Sequence, residues 1–290
     1  LYLIMHSSYV GRFAPSPSGP LHLGSLVSAL ASYLDAKHNR GKWLLRIEDV
    51  DSQRCRPEHS QDIIDTLHSY QLYSDVPVLF QSLQKKHYQT HLDTLINRGR
   101  AFPCQCTRQA LKHFQGKHPD ICQANTQEPH SWRILSSSED VIFLDRLKGE
   151  QKQNPLHQIG HSIIKRKDLD YAYLLAVVVD DHLQGVTHVV RGCDLLDTTA
   201  AQLNLFKEFN WQAPRYCHIP LVTDENQLKL SKQNHAPAIK KADLNTLKTA
   251  LMHLKQPVFK GDCIEETLQF AIKHWSLETI QAQDQPEQTH

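Results

Sequence analysis

Apolar positions along this chain alternate between stretches of helical and of extended period. Tyr9 and Val10 precede a stiff stretch containing Pro15, Pro17 and Pro20, which bars helix. From Gly24 onward Leu26, Ala29, Leu30, Tyr33 and Leu34 recur at helical spacing. The pattern predicts the end of a strand, a rigid loop and a helix N-terminus. Asn39-Arg40-Gly41 turns the chain into an apolar strand, Trp43 to Ile47, and Pro57 starts a helix with Ile63, Ile64 and Leu67 on one face. A further helix is predicted from Ser82 to Asn97, stopping at Gly99. Between Ala101 and Gly160 the alternation breaks into cysteines, polar loops and one short apolar strand, Val141 to Leu144, so the segment reads as an inserted module. Extended segments are expected again at Tyr173 to Asp180, Val186 to Arg191 and His218 to Val222, with a helix from Asp194 to Phe209. Such alternation implies an α/β fold with a parallel sheet and helices on its faces. Leu244 to Leu254 and Ile264 to Trp275 read as helices, and the Gln-rich tail after Thr279 as disordered.

Composition adds the frame of a soluble enzyme. Of the 290 residues 40% are hydrophobic and 22% charged, which suffices for a sizeable core with appended parts. No apolar run reaches membrane-spanning length, Leu1 to Ile4 is too short for a signal peptide, and Met5 is the expected start, so a cytoplasmic location is expected. A net charge of +1 does not announce nucleic acid, and any RNA contact must rest on local groups such as Arg108, Lys112 and Lys117, Lys165-Arg166-Lys167, or Lys240-Lys241.

The 7 cysteines are odd in number and unevenly spread, which favours reduced thiols over a disulfide framework. Cys104-x-Cys106 followed by His118-x-x-x-Cys122 offers three sulfurs and an imidazole at spacings that one tetrahedral zinc accepts, with His113 a neighbouring imidazole. The intervening segment is poor in core residues, and a metal would supply the missing stability. The alternative is a strand with two buried cysteines and a solvent-facing histidine. Cys55, Cys193, Cys217 and Cys263 lack partners at ligand spacing and read as packing residues.

Two further elements handle phosphate. At the first helix N-terminus, backbone N–H groups and the helix dipole favour an anion, Gly24 lets a base or phosphate approach the backbone, and His22 can donate to phosphate oxygen. About two hundred residues later, Lys229 and Lys232 flank Ser231 in a polar loop, Asp224 to His235, able to close over a triphosphate. Arg12 and Arg191, each at a strand end, can bind a carboxylate, Glu48 can pair with an ammonium group and Tyr173 can donate a hydroxyl, a set that suits an acidic amino acid. Asp180-Asp181 reads as the anchor of the turn leading to Val186 rather than as a metal site.

These residues together resemble the class I aminoacyl-tRNA synthetases of the glutamyl type. His22-Leu23-Gly24-Ser25 stands in the place of the HIGH signature and Lys229-Leu230-Ser231-Lys232-Gln233 in that of KMSKS, and the likeness runs through Arg46-Ile47-Glu48-Asp49-Val50-Asp51 and Tyr173 to Gly192. Ser25 and Gln233 depart from those signatures. The resemblance implies a Rossmann-like catalytic domain in two halves, residues 5–100 and 161–235, split by a zinc-binding, acceptor-contacting insertion at 101–160 and followed by a short helical segment, 236–280, and a tail, 281–290. It implies catalytic roles for His22 and Lys232, ATP binding with Mg²⁺ by His22, Gly24, Ser25, Lys229, Ser231 and Lys232, and one structural zinc on Cys104, Cys106, His118 and Cys122. Arg12, Phe13, Ala14, Pro15, Ser16, Glu48, Tyr173 and Arg191 take the places that bind glutamate. Ordinary members continue past the lysine loop into a large helical region that reads the anticodon, whereas fewer than sixty residues follow Lys232 here. That shortness resembles the truncated branch, the glutamyl-queuosine tRNA(Asp) synthetases, and implies transfer of glutamate to queuosine in the anticodon arm of tRNA(Asp). The alternative is a truncated conventional enzyme charging the terminal adenosine of a tRNA. The sequence does not indicate an oligomeric state, and a monomer is the favoured expectation.

Overall fold

The computed structural model describes residues 9–122, 124–223 and 237–281. Strand β1 (Val10–Phe13) enters the proline-rich loop, which ends at helix α1 (Leu23–His38). Tyr9 and Val10 thus stand at the start of this strand rather than its end, and Arg12 and Phe13 belong to it. After α1 come β2 (Lys42–Ile47), α2 (Pro57–Ser69, with proline in its first turn), the short β3 (Leu79–Phe80) and, through a 3₁₀ turn, α3 (Lys85–Asn97). β1, β2 and β3 pair in parallel in that order, with Val10 opposite Lys42 and Phe13 opposite Leu45.

Residues 101–165 hold β4 (Ala101–Cys104), β5 (Ser131–Ile134), β6 (Val141–Asp145), β7 (Gly149–Gln153), α4 (Pro155–Ile159) and β8 (Ile163–Lys165). β4, β5 and β8 form an antiparallel sheet, and β6 and β7 a hairpin. Only β6 carries an apolar run. β7 reads Gly-Glu-Gln-Lys-Gln and shows no strand-like alternation, so the sequence pattern could not reveal it.

The chain then forms α5 (Tyr173–Leu183), where an extended segment was expected from Tyr173 to Asp180. The reason is burial on every side: Leu174 through Asp181 are all buried, and a helix without a solvent face has the same unbroken apolar run as a buried strand. β9 (His188–Gly192), a 3₁₀ turn at Cys193–Thr198, α6 (Thr199–Phe209) and β10 (Arg215–Ile219) follow, β10 pairing in parallel with β9. β9 lies alongside β1: the Thr187 N–H donates to Val10 O at 2.9 Å, and the Val10 N–H to Thr187 Oγ1 at 2.8 Å. The two parallel sheets therefore abut, with the loops after β1 and β9 opening at one place. Helices α7 (Leu244–His253), α8 (Ile264–His274) and α9 (Glu278–Gln281) close the described chain.

One apolar cluster joins α1, β1 and β2 to α7 and α8, and a second surrounds α5 with α3 and α6. A buried polar junction ties distant parts together behind the first cluster. Asp35 of α1 accepts from Tyr9 Oη, from both terminal nitrogens of Arg146 and, at 3.0 Å, from Trp275 Nε1. No helix among the described residues is long and apolar enough to cross a membrane.

Candidate active site

Side chains from β1, the loop after it, α1, the segment after β2, α5 and β9 surround a cavity of about 560 Å³. Arg12, Phe13, Ala14, Pro15, Ser16, Glu48, Tyr173 and Arg191 line it together with His22, Gly24 and Ser25. Residues far apart in sequence and proposed for two ligands thus share one space. Lys229, Ser231 and Lys232 lie outside the described residues.

At the α1 end of the cavity, His22 is the N-cap of the helix, with extended backbone and Nδ1 accepting from the Ser25 N–H at 3.2 Å. That bond assigns the ring proton to Nε2, which sits 3.0 Å from Ser25 Oγ. The histidine therefore presents an N–H beside a helix N-terminus, where the dipole already favours an anion.

At the other end lies a buried layer of alternating charge. Arg12 donates through Nε and Nη2 to the two oxygens of Asp181, both at 3.3 Å. Arg46 Nη2 donates to Asp181 at 2.7 Å, and Arg46 Nη1 to Gln184 Oε1 at 2.9 Å. Asp180 accepts from Gln81 at 2.7 Å and from Tyr88 at 2.8 Å. Burial alone would raise the Asp181 carboxyl, but the flanking Arg12 and Arg46 charges outweigh it and hold it below the ordinary value. The backbone carbonyl of Asp181 does anchor the turn to Val186, accepting its N–H at 2.8 Å. The carboxylate, in contrast, points inward to fix Arg12, a role that adjacency in sequence did not suggest.

Glu48 lines the cavity above this layer. Its Oε1 is buried without a hydrogen-bond partner, and Arg46 Nη2 is 3.7 Å away, beyond hydrogen-bond distance. Burial pushes the carboxyl up to about 7, against the pull of Arg46 and Arg12. A largely desolvated carboxyl that lines the cavity and makes no hydrogen bond to Arg46 suits an ammonium group. Arg191 donates to His218 Nε2, Gln202 Oε1 and Thr199 Oγ1 at 2.8–2.9 Å, so its plane is fixed before any ligand arrives.

Residues 101–165 carry a second cluster of polar side chains. Ligand atoms of Cys104, Cys106, His118 and Cys122 all lie within 4.8 Å of one another. Neither ring nitrogen of buried His118 makes a hydrogen bond of normal geometry among the described residues. An unpaired buried imidazole facing three thiols fits a tetrahedral metal better than a packed core. Arg133 Nε donates to Cys104 Sγ at 3.2 Å, a contact that suits a thiolate; burial raises that thiol, and the Arg133 hydrogen bond is foremost among the effects that bring it below its ordinary value. The His118 backbone rests on Gly160, where an added Cβ would stand 2.5 Å from His118 N, so the close approach of the two segments requires a glycine.

Comparison with known proteins identifies the family. The family model described as tRNA synthetases class I (E and Q), catalytic domain, matches residues 9–256. The chain is 42% identical over 276 residues to a protein of Shewanella amazonensis named glutamyl-Q tRNA(Asp) synthetase, with 95% of each chain covered. It is 42% identical over 280 residues to a Salmonella typhi protein of the same name, with 94% of each covered. Among solved structures it is similar to a glutamate tRNA ligase of Elizabethkingia meningosepticum, with a TM-score of 0.74 and 23% identity, covering 95% of this chain and 66% of that one. A glutamate-tRNA synthetase of Elizabethkingia anophelis gives a TM-score of 0.75 at 24% identity, over 94% and 66% of the two chains. These two show the fold, of which this chain spans about two thirds. By its sequence match over most of its length, the chain belongs to the class I tRNA synthetases of the glutamyl and glutaminyl group, among the relatives named glutamyl-Q tRNA(Asp) synthetase.

Proposed function

We propose that the protein activates L-glutamate with ATP as glutamyl-adenylate and transfers the glutamyl group to the queuosine base in the anticodon of tRNA(Asp). The observation that carries this reading is the 42% identity, over 95% of both chains, to a glutamyl-Q tRNA(Asp) synthetase. The cavity supports it: carboxylate-binding arginines and Glu48 at one end, a helix N-terminus with His22 at the other.

In this reading the protein supplies no nucleophile. The α-carboxylate of glutamate attacks the α-phosphorus of ATP and pyrophosphate leaves. Glu48 holds the ammonium group, Arg12 and Arg191 with Ser16 and Tyr173 hold the carboxylates, and the Phe13-Ala14-Pro15 turn shapes the wall beside them. Gly24 and Ser25 receive the nucleotide at the α1 N-terminus. His22 Nε2–H and Lys232 stabilise phosphate charge as it develops, with Lys229 and Ser231 on the same loop. Mg²⁺ accompanies ATP and offsets the charge of the leaving pyrophosphate. A hydroxyl of the queuosine cyclopentenediol then attacks the acyl carbon of the adenylate, and AMP departs. One zinc on Cys104, Cys106, His118 and Cys122 organises the insertion without entering the reaction. The working form is a monomer in the cytoplasm, where tRNA and ATP are met.

The test is to incubate the protein with ATP, labelled glutamate and total tRNA and to locate the label by nucleoside mass analysis. Label on queuosine of tRNA(Asp), abolished by periodate cleavage of the diol, is expected. Robust charging of queuosine-free RNA, with label lost on removal of the terminal adenosine, would overturn the reading in favour of a conventional charging enzyme.

A further inference from the structure

We propose that Asp145 and His218 are positioning residues for Arg191, and that the β6–β7 hairpin of the insertion thereby sets the guanidinium facing the glutamate site. The inference rests on the reading of Arg191 as a glutamate contact.

The three side chains form a buried line from insertion to cavity. Asp145 ends β6, His218 lies on β10 and Arg191 on β9, and none is more than 4% exposed. Arg191 Nε donates to His218 Nε2 at 2.9 Å. A guanidinium has no lone pair to give, so Nε2 must be the acceptor and the ring proton must sit on Nδ1. Asp145 Oδ2 lies 2.7 Å from Nδ1 and accepts that proton's bond. Asp145 is itself fixed, since Oδ1 accepts the backbone N–H groups of Leu147, Lys148 and His218 at 3.0, 2.9 and 3.2 Å. Asp145 thus selects the His218 tautomer, and the tautomer selects which nitrogen meets Arg191. Gln202 and Thr199 complete the clamp at the other guanidinium nitrogens. Loss of the His218 acceptor leaves a buried N–H of Arg191 unpaired and lets the guanidinium turn, which displaces its edge from the cavity.

The experiment is glutamate-dependent exchange of pyrophosphate into ATP, with glutamate binding followed in parallel by calorimetry. His218→Asn removes the acceptor at the Nε2 position, whereas His218→Gln restores one there. His218→Asn is expected to raise the KM for glutamate at least tenfold while kcat and the KM for ATP change less than threefold, and His218→Gln is expected to recover most of that loss. Asp145→Asn, which presents an amide donor to Nδ1 and forces the opposite tautomer, should behave like His218→Asn. Should His218→Asn fail to fold, as judged by its thermal midpoint, the contrast between Asp145→Asn and His218→Gln carries the same test. Wild-type KM in both Asn variants, or equal kcat losses in all three at unchanged KM, would overturn the inference. A wild-type protein that neither binds glutamate nor supports exchange would instead overturn the proposed function.

Discussion

Burial holds the Glu48 carboxyl up at about 7, inside the range over which an amino-acid ammonium group stays charged. In the proposed reading Glu48 pairs with that group, and the pairing requires ionisation. The KM for glutamate is therefore expected to fall several-fold as pH rises from 6 to 8, and Glu48→Gln should both weaken binding and flatten that profile. The stability effect has the opposite sense. A carboxyl raised above its unfolded value of 4.5 contributes stability below that pH and loses it as pH rises through about 7. Glu48→Gln should then gain stability relative to the parent at pH 8 but not at pH 4, as denaturant midpoints would show. In the proposed reading, Lys232→Ala is expected to slow adenylate formation by well over tenfold with little change in glutamate affinity, because there its charge matters most where phosphate charge develops. Rapid-quench measurement of adenylate beside calorimetric glutamate binding would check the split. That Glu48, Arg12 and Arg191 would line one cavity was legible from their motif positions. Asp181, Asp145 and His218, which fix the two arginines, were not, because each partner is more distant in sequence than any local pattern reaches.

Among the elements, α5 shows what periodicity misses and what the misreading hides. As a strand, its Asp180 and Asp181 would lie on opposite faces, whereas at a helix end both turn inward to Arg46, and Asp181 also reaches Arg12. Asp181→Asn leaves two buried guanidinium groups short of charge, and a loss of about 3–5 kcal/mol is expected in chemical denaturation. The insertion is the reverse case. Its cysteine and histidine spacing pointed to a cluster able to hold a metal, while its short polar strands stayed hidden, since ligand spacing survives where a two-residue period has too few positions to count. Protein purified without chelators is expected to hold about one zinc per chain. Cys104→Ser should lose it and open residues 101–165 to protease before the parallel sheet yields, which metal analysis and limited proteolysis together would check.

At the scale of the whole molecule, the α/β class was legible because parallel strands and crossover helices leave a coarse alternation over hundreds of residues. The meeting of the two half-sheets was not, since it depends on a strand edge rather than on any side-chain pattern. That edge has a consequence for how the protein is made. β1 and β2 leave the ribosome early, yet β9, which covers the exposed side of β1 and packs on α1, begins only at His188. At translation speeds of about 5–20 residues per second the intervening chain takes on the order of ten seconds to appear. For that interval the nascent chain carries an open strand edge and an apolar helix face, so it is a natural client for a ribosome-associated chaperone. Depleting such a chaperone should lower the soluble yield of this chain, and slowing synthesis by rare codons between Ile47 and His188 should lower it further.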